Sequence, residues 1–334
     1  MRGNKIAVLG ASGAVGQEML RVMEEYKLPV SELVVLAGPN SAGKSVVFQG
    51  ENIVIREAKE DSFRGMDYVL GAVEKKQSVE FAPFIKKSGA VYIDNSSAFR
   101  MDPDVPLVVP EINGSDAFAH HGIIANPNCS TIITMMALAG IHRLSPIQSA
   151  VACTYQAVSG AGVRGLNELE QQMAAIANGE VPQRSVFPHQ IAMNVIPSIG
   201  SEDGNGYTDE EMKMQNEGRR ILHAPGLNVT CTCVRVPVMR SHSISVTVRT
   251  RETVSVEEAK NAVKNYPGCR LIEDYEGRNY PTPLDTGNQD LVWVGRIRKD
   301  LTDEKGLTLW CCGDQIRKGA ASNAVQIMKL LAEK

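Results

Sequence analysis

Apolar and polar positions change rhythm along this chain. Lys5 to Leu9 is a short apolar run ended by a glycine turn, and a helical periodicity follows from about Val15 to Glu25. Leu33 to Ala37, Tyr68 to Leu70, Val91 to Asp94 and Gly122 to Ala125 read as further buried strands, with helical stretches such as Val79 to Lys87 between some of them. Strands that alternate with helices predict a doubly wound, mostly parallel α/β sheet. From about Ser130 the character changes. A helix over Thr131 to His142 leads to a strand near Ile147 to Thr154. Asn228 to Val236, Ser243 to Arg251, Leu291 to Ile297 and Leu307 to Cys312 then alternate as strands of an antiparallel sheet with one covered face do. Lys318 to Ala332 reads as one amphipathic helix. The pattern predicts a nucleotide-binding α/β domain followed by an α+β domain.

Composition narrows the class. The 334 residues suit two domains better than one, and 43% hydrophobic with 22% charged residues is ordinary for a globular protein. A net charge of -3, with both signs mixed along the chain, excludes a nucleic-acid stripe and a basic membrane-binding helix. No apolar run reaches the length of a bilayer span. The opening MRGNKIAVLGASG passes directly into a strand and turn, unlike a signal peptide. Seven cysteines without such a leader predict reduced thiols and a cytoplasmic location.

Three segments carry candidate chemistry. Gly10-Ala11-Ser12-Gly13-Ala14-Val15-Gly16 sits between a strand and a helix, where glycines let backbone N–H groups approach a pyrophosphate at the positive end of the helix dipole. At the first βα junction this turn favours dinucleotide binding in a Rossmann-type fold over a merely steric role. The run after the second strand, Gly38-Pro39-Asn40-Ser41-Ala42-Gly43-Lys44, has no acid for a ribose hydroxyl, which permits a 2′-phosphate near Lys44. Residues Gly38 to Ser45 also match a P-loop, but the β-branched Val46 and Val47 follow where that motif needs a helix, so an ATPase is not expected.

Asn126-Pro127-Asn128-Cys129-Ser130-Thr131 puts Cys129 at or near a helix start, where the dipole favours a thiolate. Its alternative is a buried structural thiol, and that is the expected role of Cys153, Cys231, Cys233, Cys311 and Cys312 in their strand-like runs. Cys269, in a Pro-Gly turn, has no chemical partners in sequence. Cys231 and Cys233 form a CxC with no second ligand pair at zinc spacing, so no metal site is expected. On periodicity alone His242 is a surface or hydrogen-bonded histidine, and Arg100 in Asp94-Asn95-Ser96-Ser97-Ala98-Phe99-Arg100 is a ligand residue or a solvated arginine.

GASGAVG, SAGK, DNSSAFRMDPDVPLVVPEIN, NPNCST, CTYQAVSGAG, YTDEEMKM, CVRVPVMRSHS and RKGAA occur in an order that resembles the aspartate-β-semialdehyde dehydrogenases, from residue 10 to residue 321. The resemblance implies a dinucleotide-binding domain over residues 1–128, completed by a C-terminal helix over 314–334, and a catalytic and dimerisation domain over 129–313. It implies Cys129 as nucleophile, Gln156 as its positioning partner and His242 as general acid/base. Arg235 would pair with the substrate carboxylate, Glu210 with its ammonium, and Arg100 and Lys213 with phosphate. Gly10, Ser12, Gly13, Ala14, Val15, Gly16, Ser41, Lys44, Gly160 and Gln315 would bind the cofactor. That cofactor is expected to be NADP, with NAD as the alternative, because Gly38, Pro39 and Asn40 stand where relatives carry an arginine for the 2′-phosphate. Glu74 stands in a turn that is commonly rich in Ser, Ala and Gly, and Gln315 replaces the usual Asn after Asp314. The implied reaction interconverts L-aspartate 4-semialdehyde plus inorganic phosphate with L-4-aspartyl phosphate through a thioester. It feeds lysine (by diaminopimelate), methionine and threonine synthesis, in a homodimer or homotetramer. The nearest rival is N-acetyl-γ-glutamyl-phosphate reductase, which has no need of a carboxylate like Glu210. A non-catalytic paralogue would be expected to lose Cys129, Gln156, Arg235 or His242.

Overall fold

The structure, a computed structural model, describes residues 3–334. The chain forms two compact units, one running to Asn128 and including Ala320–Lys334, the other Cys129–Gly319.

The first unit contains β1 (Asn4–Leu9), α1 (Ala14–Glu25), β2 (Val30–Ala37), β3 (Ser45–Phe48), β4 (Glu51–Val54), β5 (Arg56–Glu57), β6 (Tyr68–Gly71), α2 (Lys75–Ser88), β7 (Val91–Asp94), α3 (Pro110–Asn113) and β8 (Ile123–Ala125). Six strands make a parallel sheet in the order β5-β2-β1-β6-β7-β8. Both faces are covered, which is why the strands read as unbroken apolar runs. Met19 and Met23 of α1, with Val325 and Met328 of the C-terminal helix (Ser322–Ala332), pack on Ile6, Val8, Ile93 and Ile124. On the other side Phe63 and Ile85 pack on Leu9, Leu36, Val69 and Tyr92. Each such side chain contributes about 1.5–3 kcal/mol through burial. Strand order reverses between β1 and β6, and the crevice beyond their carboxyl ends is where such sheets take ligands. The P-loop lookalike runs into β3, which turns back into antiparallel β4. A hairpin offers no helix N-terminus to a phosphate.

The second unit contains α4 (Cys129–Leu144), β9 (Ile147–Gln156), α5 (Gly162–Ala177), α6 (Asp209–Ile221), β10 (Asn228–Arg235), β11 (His242–Thr250), α7 (Val256–Lys264), β12 (Cys269–Leu271), α8 (Pro283–Thr286), β13 (Val292–Lys299) and β14 (Gly306–Gly313). Its sheet order is β10-β9-β11-β14-β13-β12. The sheet is mixed, which corrects the antiparallel expectation. β9, β11, β14 and β13 pair antiparallel in turn, but β10 runs parallel to β9, and β12 parallel to β13. The chain between β9 and β10 is long enough to hold α5 and α6, and such a crossover is what parallel pairing requires. α4 is buried from Ser130 to Ile141 and packs on β9, β11, β13 and β14, as suits a helix apolar all round. A second departure is at the end, where one wide turn over Arg317–Ala321 precedes the helix that the pattern starts at Lys318.

Candidate active site

In the first unit the glycine turn has the geometry of a phosphate cradle. Gly10 has φ +92°, and a Cβ there would lie 2.3 Å from the Ala72 carbonyl oxygen, so only glycine fits. A Cβ on Gly16 would fall 2.3 Å from the Gly10 oxygen, which lets α1 sit tightly against β1. Gly13 caps α1 without a side-chain hydrogen bond, and Ser12, Ala14 and Val15 flank it. The N-terminus of this twelve-residue helix thus carries no side-chain cap bond, and a helix start of this kind favours an anion such as a pyrophosphate. Ser41 is half-buried and Lys44 exposed beyond β2, with no acid from residue 38 to 44. These residues fit a dinucleotide bearing a 2′-phosphate. Glu74 is the N-cap residue of α2 and makes no side-chain cap.

Arg100 also belongs to the first unit, and it is buried rather than solvated. Its Nε donates to the Asn126 oxygen at 3.0 Å and its Nη2 to the Asn95 oxygen at 2.7 Å. It thereby braces the peptide that leads to Cys129.

The remaining predicted residues gather in the second unit. Cys129 is the first residue of α4, a sixteen-residue helix, so the dipole favours negative charge on its sulfur. A Cβ on Gly319 would lie 2.9 Å from the Cys129 Cβ and 3.3 Å from its Cα, so only a glycine fits beside the start of α4. The buried thiols of the second sheet differ. Burial pushes Cys311 well up and Cys312 to about 12, and Cys231 is raised by its contact with Cys233 and by burial. Those thiols are inert at neutral pH.

β9 and β10 end side by side with Gln156 paired to Arg235. Both side chains are buried. Gln156 Nε2 lies 3.3 Å from Glu210 Oε1 and 3.4 Å from Ser130 Oγ, linking α4 to α6. Glu210 Oε2 accepts from Lys213 Nζ at 3.0 Å, and Asp209 Oδ2 accepts from the same nitrogen at 2.9 Å. Burial alone would lower the Lys213 pKa, but these carboxylates outweigh it and raise it. Arg235 Nη1 donates to the Ala157 oxygen at 2.7 Å, and its guanidinium lies 5.9 Å from the Phe187 ring centroid. Burial lowers the Arg235 pKa, opposed by Cys129 and Glu210 nearby, and an arginine stays charged under such conditions.

His242 opens β11 and is fully buried, not at the surface. Its Nδ1 accepts from the Ala157 N–H at 3.1 Å. Burial, then the Arg235 charge, hold its pKa well below 6.5, so the ring is neutral. With Nδ1 occupied as an acceptor, the single proton sits on Nε2. That nitrogen has no hydrogen-bond partner among the described residues. His242 therefore presents an N–H donor. Gly160 stands over it: a Cβ there would be 3.5 Å from Nε2 and 2.7 Å from Arg235 Nη1.

Gln315 is buried with both ends of its amide engaged: Oε1 accepts from the Ser241 N–H at 2.7 Å, and Nε2 donates to Ser159 Oγ. Sequence reasoning missed Asp209, Phe187, Ser241 and Gly319. It also passed over Glu168, whose buried carboxylate accepts from the Ser185 N–H and hydroxyl at 2.9 and 2.8 Å, and from the Val186 and Phe187 N–H groups. One sign of α6 was readable, since Thr208 and Glu211 form a reciprocal capping box at the start of the helix that carries Glu210 and Lys213.

The chain matches two family patterns: "Semialdehyde dehydrogenase, NAD binding domain" over residues 5–120 and "Semialdehyde dehydrogenase, dimerisation domain" over residues 138–318. It is 48% identical over 330 residues to the aspartate-semialdehyde dehydrogenase of Synechocystis sp., covering 99% of this chain and 98% of that one. It is 47% identical over 335 residues to that of Aquifex aeolicus, again covering 99% and 98%. The crystal structure of aspartate semialdehyde dehydrogenase II from Vibrio cholerae, solved also complexed with ASA, superposes with a TM-score of 0.97 at 40% identity over 100% of this chain and 99% of that one. The chain belongs to the aspartate-semialdehyde dehydrogenase family.

Proposed function

We propose that this chain is an aspartate-semialdehyde dehydrogenase that interconverts L-aspartate 4-semialdehyde plus phosphate with L-4-aspartyl phosphate. The observation that carries the reading is His242 Nε2–H, buried and unpartnered beside Arg235, in the unit whose helix α4 begins with Cys129. Arg235 anchors the substrate carboxylate, since Nη1 alone of its guanidinium nitrogens donates within the described residues. Glu210 takes the ammonium. In the oxidative direction the Cys129 thiolate attacks the aldehyde carbon, giving a tetrahedral adduct with negative charge on oxygen. His242 Nε2–H stabilises that oxyanion as a neutral donor, which narrows the acid/base role implied by resemblance. The nicotinamide cofactor, when bound, accepts the hydride. Loss of hydride from the adduct restores a carbonyl and leaves the thioester, with no proton transfer at the carbon centre. A phosphate oxygen then attacks, the C–S bond breaks, the thiolate returns and the phosphate proton goes to solvent. Lys213 holds the phosphate, and Arg100, in the first unit, is a phosphate ligand on the resemblance alone.

The glycine turn with Ser41 and Lys44 favours NADP over NAD. Reduced thiols suit a cytoplasmic setting. Homodimer formation would use the open face of the second sheet, where Val151 and Tyr155 of β9 are exposed. Sedimentation would separate a dimer from a tetramer. Purified protein is expected to reduce NADP faster than NAD, with L-aspartate semialdehyde and only when phosphate is present, and Cys129→Ala is expected to abolish turnover. Turnover of the N-acetylated glutamate analogue in place of the aspartate substrate would refute the assignment.

A further inference from the structure

The antiparallel register sets His242 opposite Gly313, so β14 ends where β11 begins. The two residues after Gly313 therefore emerge beside the two residues before His242, and each binds one of them. Asp314 Oδ2 accepts from Arg240 Nε at 2.6 Å, while Gln315 Oε1 accepts from the Ser241 N–H at 2.7 Å. Asp314 is itself fixed: Oδ1 accepts from the Ile316 and Arg317 N–H groups at 2.9 and 3.0 Å, and Oδ2 also from the Asn288 N–H at 2.7 Å. Ser241 has φ +74°, a left-handed conformation that a serine rarely adopts, and its buried hydroxyl has no partner among the described residues. No serine contact explains the strained turn, so its shape is held from outside. The far end of the Gln315 amide reaches Ser159, in the short turn Val158–Ala161 that carries Gly160 over the imidazole. One amide thus ties the turn behind His242 to the turn in front of it.

We propose that Asp314 and Gln315 are positioning residues that clamp the Arg240–Ser241 turn and so fix where His242 Nε2–H points. The inference rests on the donor role of His242 proposed above. Both Gln315 polar atoms hold partners inside the protein, Oε1 on the Ser241 N–H and Nε2 on Ser159. Replacing it removes the tie at both ends at once. A displaced donor of this kind costs about tenfold to a hundredfold in rate, because oxyanion stabilisation falls steeply with position.

The test uses chemistry at Cys129 that needs no cofactor. Acylation by 4-nitrophenyl acetate passes through an oxyanion, whereas alkylation by iodoacetamide does not. Gln315→Leu is expected to slow acylation at least about tenfold, with alkylation within about twofold of the parent enzyme. Loss confined to NADP affinity, with acylation unchanged, overturns the clamp. Equal slowing of acylation and alkylation also overturns it, since that pattern marks a general disturbance of the thiol. Should Gln315→Leu fail to fold, Ser159→Ala removes one end of the tie and is expected to slow acylation selectively by a smaller factor. Unchanged acylation in Ser159→Ala would then count against the clamp. His242→Ala serves as the reference: if it acylates at the parent rate, the donor role itself fails, separately from the clamp.

Discussion

Replacing Gly160 by alanine tests the substrate-binding geometry most directly. The added Cβ would sit 2.7 Å from Arg235 Nη1, closer than carbon and nitrogen can approach, but at an ordinary 3.5 Å from His242 Nε2. The arginine must yield, and it is not free to do so. It is buried, lies over the Phe187 ring, and holds the Ala157 oxygen with the crowded Nη1 itself at 2.7 Å. Yielding therefore means giving up or bending a charged hydrogen bond worth about 1.5–3 kcal/mol. If that loss falls on the orientation of the carboxylate anchor, kcat/KM for L-aspartate semialdehyde drops about 10- to 150-fold, at about 1.4 kcal/mol per factor of ten. The drop is expected mainly in KM, because the imidazole need not move. Steady-state kinetics with the aldehyde as varied substrate give both constants. A cycle with Arg235→Ala isolates the cause, because the alanine at 160 should cost almost nothing once the guanidinium is gone. Unchanged kcat/KM in Gly160→Ala, or full additivity in the cycle, would refute the reasoning.

Three further outcomes are expected. Because His242 stays neutral when folded and its pKa lies well below 6.5, an unfolded chain binds one more proton below that pH. Its stabilising contribution is present above pH 6.5 and falls by about 1.4 kcal/mol per pH unit below it, so His242→Gln should flatten the acid side of the unfolding curve measured by denaturant titration. In turnover, His242→Gln, which keeps an N–H donor, should retain more kcat than His242→Ala, and equal losses in the two would argue against a donor role. Burial raises the Glu168 pKa, but hydrogen bonds from Val186, Ser185 and Phe187 more than reverse this and lower it. Its support is therefore present at neutral pH and lost as pH falls through its folded pKa. Glu168→Gln points an amide at those N–H groups, and should speed proteolysis near residues 185–187 and raise KM through Phe187; a protease pattern and KM like the parent's would contradict this.

Much of the fold was readable because burial writes itself into periodicity. β1, β2, β6 and β7 are covered on both faces, so each showed as an apolar run within a few residues of its final bounds. The parallel pairing of β9 with β10 was not readable, because alternation reports which face a residue takes and not which strand lies beside it. The site divides in the same way. Cys129 announced itself through the Asn-Pro pair and the apolar helix behind it. His242 did not: its tautomer is settled by one bond from the Ala157 N–H and its low pKa by burial and then by the Arg235 charge, none of which a local pattern shows. The Gln315 contacts span 74 and 156 positions, beyond the reach of any local pattern.

The pairing of Gln156 with Arg235 has a consequence for how such an enzyme can change. Both stand at the carboxyl ends of adjacent parallel strands, so their separation is one inter-strand step, about 4.8 Å. Inserting or deleting one residue in either strand would turn its site residue to the opposite face of the sheet. Lineages and engineers alike are thus barred from lengthening this span by small indels. Accepting a longer substrate would have to come through the chain between β9 and β10, where Met193 and Val181 lie largely exposed.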